Sequence, residues 1–140
     1  MRKMLLWLSA IALAAMMGCG PKGDPAAETA AVDAARSWLS LIDDGQYGGS
    51  WDQAAQPFMG AVSREQWLQA MQTTRQPLGT KLSREVKAKR YLTSLPGAPD
   101  GQYVVILFAA SFQNKKTAIE TVTPMREKDG TWRVSGYYIK

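Results

Sequence analysis

The spacing of apolar residues in the first part of the chain predicts a helix that begins at Asp24-Pro25 and ends at Gly45. Asp24 can cap free backbone amides, and Pro25 is tolerated at the first helical position, where the N–H is unpaired anyway. The apolar positions recur at intervals of three and four, which places them on one helical stripe: Ala27, Ala31, Ala34, Trp38 and Leu41. This stripe is therefore predicted to face the core.

Two further helices are indicated by their capping residues. Ser50, followed by Gln53, predicts a short second helix that stops before Pro57. Ser63 and Gln66 form another capping box for a third helix, which continues as far as the break Pro77-Leu78-Gly79.

Beyond Thr80 the helical spacing gives way to strand patterns. Apolar and polar residues alternate from Leu82 to Leu92, which predicts a half-buried strand with Leu82 among its inward residues. The segment from Tyr103 to Phe112 is apolar on both faces, as expected for a central strand covered on two sides. Two more strands are predicted over residues 117–126 and 132–139, joined by the tight-turn dipeptide Asp129-Gly130. Helices followed by strands favour an α+β fold, with three N-terminal helices packed on one face of a four-stranded antiparallel meander sheet.

The first eighteen residues have a different character from the rest. Two basic residues, Arg2 and Lys3, precede an apolar run from Met4 to Met17, which is shorter than the roughly 20 residues needed to span a bilayer. This pattern is typical of a secretory signal peptide, and Gly18-Cys19 resembles the cleavage site of a bacterial lipobox. The sequence therefore predicts a signal peptide over residues 1–18, a lipidated cysteine with its tether over 19–24, and a single α+β domain over 25–140.

Cys19 is the only cysteine, so no disulfide can form within the chain. We expect its thiol to carry lipid, which makes the membrane the first predicted partner. By resemblance to lipoproteins of bacteria with two membranes, Gly20 indicates sorting to the outer membrane, facing the periplasm.

Charge and composition exclude several functional classes. Without Arg2 and Lys3, the 17 basic residues fall to 15 against 12 acidic ones, a net charge of +3. Such a balance does not predict a nucleic-acid interface. There is no histidine, which removes the commonest general base and metal ligand, so we expect no metal and no cofactor.

Carboxylates remain as candidate chemistry. The pair Asp43-Asp44 is interpreted as a solvated helix end, the alternative being a metal or acid–base pair. Glu120 alternates with Ala118 and Val122, so it shares a strand face with apolar residues. It is a pocket base, a surface glutamate on the convex face of the sheet, or a carboxylate paired with an arginine, the candidates being Arg84, Arg90 and Arg133. The pairing is favoured, which leaves no catalytic residue. A candidate pocket is formed by Trp51, Trp67, Glu120, Trp132 and Tyr138.

Several segments resemble the family called domain of unknown function 4019 over residues 31–140. They are Ser50-Trp51, Val62 to Trp67, Pro77 to Gly79, Ser94 to Val105, Glu120 to Thr123 and Trp132 to Ile139. The resemblance implies a layout similar to the cystatin or nuclear-transport-factor-two-like folds, in which a curved sheet forms a cone around helices. Fold alone does not imply function.

The sequence thus favours a membrane-anchored periplasmic domain that binds a small apolar ligand or an envelope protein without catalysis. The first alternative is an isomerase-like enzyme with Glu120 as a lone general base. The second is a structural accessory of an envelope assembly, docked through an exposed sheet face. The sequence does not predict an oligomeric state.

Overall fold

The computed structural model describes residues 23–140. The predicted signal peptide and Cys19 lie outside the described residues. The α+β class is confirmed, but the helical part contains four α-helices and a 3₁₀ turn instead of three helices. They are α1 (Pro25–Asp43), α2 (Tyr47–Asp52), α3 (Gln56–Ala61), α4 (Arg64–Thr74) and the 3₁₀ turn Gln76–Leu78.

Helix α1 begins as predicted from its capping residues. The Asp24 side chain accepts a hydrogen bond from the Ala27 amide at 3.1 Å, and Gly45 follows the helix with a φ of +76°, a backbone conformation that favours glycine. The buried stripe consists of Ala27, Ala31, Ala35, Trp38, Leu39 and Ile42. It packs against the sheet and supplies much of the core.

The second helix was predicted wrongly. Ser50 lies inside α2 and is fully buried, so it caps nothing. Its hydroxyl donates to the Tyr47 carbonyl at 2.7 Å and accepts a hydrogen bond from the Trp67 indole at 2.9 Å. The Ser50 side chain therefore forms hydrogen bonds inside the fold, although the local pattern predicted that it caps a helix.

Helix α4 begins where its capping box predicts. The Ser63 hydroxyl accepts from the Gln66 amide at 3.1 Å, and the Gln66 side chain accepts from the Ser63 amide at 3.0 Å. Trp67 and Met71 form its buried side. These bonds depend only on residues three apart, which is why the start of α4 can be predicted locally.

The four strands form one antiparallel sheet in the order β1-β2-β3-β4. Their bounds are β1 (Lys81–Leu92), β2 (Tyr103–Phe112), β3 (Lys115–Arg126) and β4 (Trp132–Ile139). The helices cover one face, and the alternate residues of β2 that point to the other face are half-buried. The prediction that β2 is covered on both sides is therefore wrong.

Strand β1 also departs from simple alternation. Register shifts occur between Lys81 and Ser83 and between Val86 and Ala88. As each irregularity alters the direction of nearby side chains, Leu82 is 55% exposed instead of pointing into the core. On the opposite edge, the Ala55 amide donates to the Val134 carbonyl at 2.8 Å, which ties the start of α3 to β4.

Candidate functional site

Five polar side chains converge between the helical layer and the sheet. We call them the charged cluster: Asp43 at the end of α1, Arg75 just after α4, Arg84 on β1, Glu120 on β3 and Tyr137 on β4. Each strand residue reaches this space because it lies on the inward side of its strand. The cluster connects three strands with the ends of two helices.

Glu120 is fully buried, and both of its oxygens accept hydrogen bonds. Arg84 Nε donates to Oε1 at 2.7 Å, and the Tyr137 hydroxyl donates to Oε2 at 2.5 Å. The pairing of this carboxylate with an arginine is thus confirmed, and Arg84 is the partner. Arg90 is exposed, and Arg133 instead contacts Glu127 and Asp129.

Arg84 continues the cluster to the helical layer. Its Nη1 and Nη2 atoms donate to the two oxygens of Asp43 at 2.6 and 2.9 Å, a bidentate geometry that matches guanidinium to carboxylate. Arg75 donates to Asp43 at 3.3 Å and to the Gly79 carbonyl at 2.7 Å. The Arg75 guanidinium also lies 4.5 Å from the centre of the Phe112 ring. Two carboxylates and two guanidinium groups thus balance their charges inside the protein.

The interpretation of Asp43 as part of a solvated helix end is wrong. Its side chain is only 14% exposed, whereas Asp44 is exposed. Adjacent helical residues point about 100° apart, so one can face the core while the next faces solvent. Asp43 comes four residues after the buried Leu39, and this spacing was the signal that could have placed it inside.

An aromatic cluster fills the interior beside the charged residues. The Trp38 ring lies 5.9 Å from Trp67, 5.5 Å from Tyr137 and 6.5 Å from Phe58, measured between centroids. Trp38 also donates its indole N–H to the Ser50 carbonyl at 2.7 Å. Both the rings and their polar atoms therefore have partners within the protein.

The structure places four of the five residues of the candidate pocket in or against the core and the fifth on the opposite face of the sheet. Trp67 and Glu120 both contact Tyr137, so these two belong to one buried region. Trp51 donates to the Val62 carbonyl at 2.7 Å, and Trp132 is half-buried at the edge of the core. Tyr138 is 62% exposed and points to the other face of the sheet, because it neighbours the inward Tyr137.

The arrangement is suited to holding elements together. A substrate would have to displace Arg84 or Tyr137 to reach an oxygen of Glu120. Over residues 23–140, no group of three acidic or cysteine side chains could hold a metal ion. In the same part of the chain, no helix has the length and apolar content to cross a membrane.

The charged cluster predicts loss of stability at both ends of the pH range. Burial alone would raise the pKa of Asp43, but the hydrogen bonds and charges of Arg84 and Arg75 outweigh burial and lower it. A lowered carboxyl pKa stabilises the fold above the unfolded value, near 4, and this contribution disappears as the pH falls further. Burial and the negative charge of Glu120 raise the pKa of Tyr137. Its contribution is therefore present below about pH 10 and is lost above that value.

Urea unfolding of a chain comprising residues 24–140 across pH checks this expectation. Asp43→Asn is expected to flatten the acid side of the stability curve, and Tyr137→Phe the alkaline side. If each variant keeps the pH dependence of the original chain, the two groups do not account for it.

Comparison with known proteins gives one match. No match was found among the curated proteins or among the solved structures. The model of the family described as "Protein of unknown function (DUF4019)" matches residues 34–137. This stretch runs from the middle of α1 into β4, so it contains every member of the charged cluster. The chain belongs to the DUF4019 family.

Proposed function

We propose that this chain is a non-catalytic binding domain of the bacterial cell envelope, anchored by lipid on Cys19. The observation that carries the proposal is the state of Glu120, the carboxylate with the strongest claim to act as a base. It is fully buried, and protein donors occupy both of its oxygens. A general base needs a lone pair within reach of the substrate proton, and the isomerase-like alternative therefore has little support.

A protein partner is better supported than a small apolar ligand. The interior between helices and sheet is occupied by aromatic rings, whereas ligand pockets are concave spaces of several hundred cubic ångströms. The surface, in contrast, carries a groove of about 930 Å³ between α3 and the β3–β4 loop. Its lining contains seven charged residues and no aromatic one beside Met59, Pro57, Pro99 and Met125, whereas pockets for small ligands are lined mostly by hydrophobic and aromatic side chains. A surface that mixes apolar and charged side chains is typical of protein interfaces.

Isolation of the full-length chain from its native membranes, after mild cross-linking, tests the proposal. We expect mass spectrometry to identify an envelope protein that is recovered with the original chain and lost with Met59→Glu, which places a charge in the groove. Gln69→Glu, on the exposed side of α4, is the matched control and is expected to retain the partner.

Two results would contradict this proposal. One is the recovery of a small apolar molecule in constant stoichiometry, with no protein that depends on Met59. The other is turnover of a substrate that is lost with Glu120→Gln while the domain remains folded.

The second candidate function is a structural accessory of an envelope assembly. The observation that favours it is the half-exposed outer side of β2, which presents Val105, Leu107 and Ala109. A static scaffold would use such a surface for permanent contacts, which are larger and more apolar than those of transient partners.

A further inference from the structure

The outer face of the sheet, on the side away from the helices, is organised in rows across the four strands. The middle row contains Ala88, Leu107, Thr121 and Tyr138, which are paired in register from β1 to β4. Leu107 and Thr121 are half-buried, and Tyr138 is 62% exposed. Over the described residues, no helix covers this row.

The two neighbouring rows have charged residues only at their ends. One row contains Arg90, Val105, Thr123 and Gly136, as the strand registers place them. The other contains Glu85, Ala109, Ile119 and Lys140, where Ile119 and Lys140 exchange two backbone hydrogen bonds of 3.0 Å. The centre of the outer face is therefore uncharged and consists of aliphatic side chains and threonines.

We infer that this outer face binds a second copy of the same chain. The two copies are related by a two-fold axis that lies between the two sheets, parallel to the strands and directly above the gap between β2 and β3. The rotation places β1 of one copy over β4 of the other, and β2 over β3. Each row then packs against the same row of the second copy, with its residues in the reverse order. Contacts of this kind occur twice in the interface, as required of an isologous dimer.

The side-chain sizes in the middle row are complementary under this rotation. Tyr138, the most exposed aromatic residue of the face, lies opposite Ala88 of the second copy, and Leu107 lies opposite Thr121 of the second copy. A large side chain thus meets a small one at each end of the row. Alternating large and small residues allow two sheets to interdigitate at the usual separation of about 10 Å.

The outer rows add complementary charge and space. Glu85 lies opposite Lys140 of the second copy, so the only acidic side chain in these three rows meets a basic one. Arg90 lies opposite Gly136 of the second copy, where there is no side chain to obstruct it. Within one chain, Glu85 and Lys140 are on opposite edges of the sheet, and therefore only a second copy brings them together.

The size of the face agrees with a reversible dimer. Four strands about 4.8 Å apart and seven residues of β2, from Val105 to Ser111, give roughly 450 Å² in projection per copy. Because side chains project from this plane, the accessible area is larger than the projected area. It approaches the lower end of stable interfaces, near 600 Å² per partner. We expect a dimer that forms in the micromolar range. Attachment to one membrane would concentrate the copies further. This inference does not depend on the proposed partner or on the groove beside α3, but it assigns the outer face to a second copy in place of an envelope assembly.

Cross-linking of the full-length chain in membranes tests the inference. Thr121→Cys places a thiol beside the proposed axis, and Gln69→Cys places one on the exposed side of α4 as a control. A bismaleimide that spans about 10 Å suits the distance between packed sheets, which is too long for a disulfide. We expect at least a tenfold greater yield of covalent dimer from Thr121→Cys. The original chain, whose only thiol is Cys19, gives the background yield that is subtracted from both variants. Equal yields from the two variants above this background would overturn the inference.

Charge reversal tests the geometry of the dimer. In the Thr121→Cys background, Glu85→Lys and Lys140→Glu should each reduce the yield of dimer several-fold. The two substitutions together should restore it, since the opposite charges then meet again across the axis. The inferred dimer is wrong if the double substitution reduces the yield by the sum of the two single effects. It is also wrong if the cross-linked product contains a different protein.

Discussion

Replacement of Arg84 by methionine is expected to lower the free energy of unfolding by about 3–5 kcal/mol, because it leaves a buried carboxylate without its cation. Glu120 is fully buried and would retain only the Tyr137 hydroxyl as a donor. Asp43 would lose both hydrogen bonds of its bidentate pair. Natural domains are stable by only about 5–15 kcal/mol, so the loss would be a large part of the total.

Urea unfolding of a chain comprising residues 24–140 measures this effect. Arg90→Met removes an exposed arginine from the same strand and is the matched control; it is expected to change stability by less than about 0.5 kcal/mol. If Arg84→Met is no more destabilising than Arg90→Met, the charged cluster does not support the fold.

Replacement of Cys19 by serine is expected to abolish lipid attachment completely. Serine lacks the thiol to which we expect the lipid to be attached, and the chain has no other cysteine. Two or more acyl chains hold a protein stably on a bilayer, whereas a soluble domain without them dissociates. Labelling with radioactive palmitate, followed by membrane fractionation, gives the measurement. We expect the label to disappear and no mature protein to remain in the membrane fraction.

Gly20→Asp is the matched control for this experiment, because it changes the neighbouring residue and preserves the thiol. It should keep the label and move the protein from the outer to the inner membrane. A Cys19→Ser chain that is still labelled, or that fractionates with the outer membrane like the original, would show that lipid on this residue does not anchor the protein.

Features that depend on neighbouring residues could be predicted from the sequence. The Asp24 cap, the capping box of Ser63 and Gln66, and the bounds of β2 and β4 all arise from local spacing. Ser50 could not be placed in this way, because its hydroxyl bonds to Trp67, seventeen residues away. A serine in this local pattern can either cap a helix or form a buried hydrogen bond, and only the tertiary contact decides between these two roles.

The charged cluster could be predicted only in part. Alternation along β3 placed Glu120 on the same strand face as Ala118 and Val122, and three arginines were considered as its partner. The strand register decides between them, because Arg84 and Glu120 flank β2 at neighbouring positions, Ala110 and Phe108. Asp43 and Arg75 come from helix ends that no sequence pattern relates to these strands. Long-range packing brings their charges together, and the prediction therefore missed them.

The exposed sheet face was predicted least well. An apolar strand such as β2 looks the same in sequence whether one face or both are covered. The two register shifts in β1 were also invisible, although they turn Leu82 to solvent and bring Ala88 into line with Leu107. These irregularities create the rows from which the dimer is inferred.

The central claim is that Arg84 and Glu120 form one structural unit, and a double-mutant cycle tests it most directly. Urea unfolding would be measured for Arg84→Met, Glu120→Gln and the chain with both substitutions. We predict that Glu120→Gln costs less in the Arg84→Met background than in the original chain, by about 1–3 kcal/mol, because the charge it neutralises has then already lost its partner. Additive effects, within about 0.5 kcal/mol, would contradict the claim and leave Glu120 free for another role.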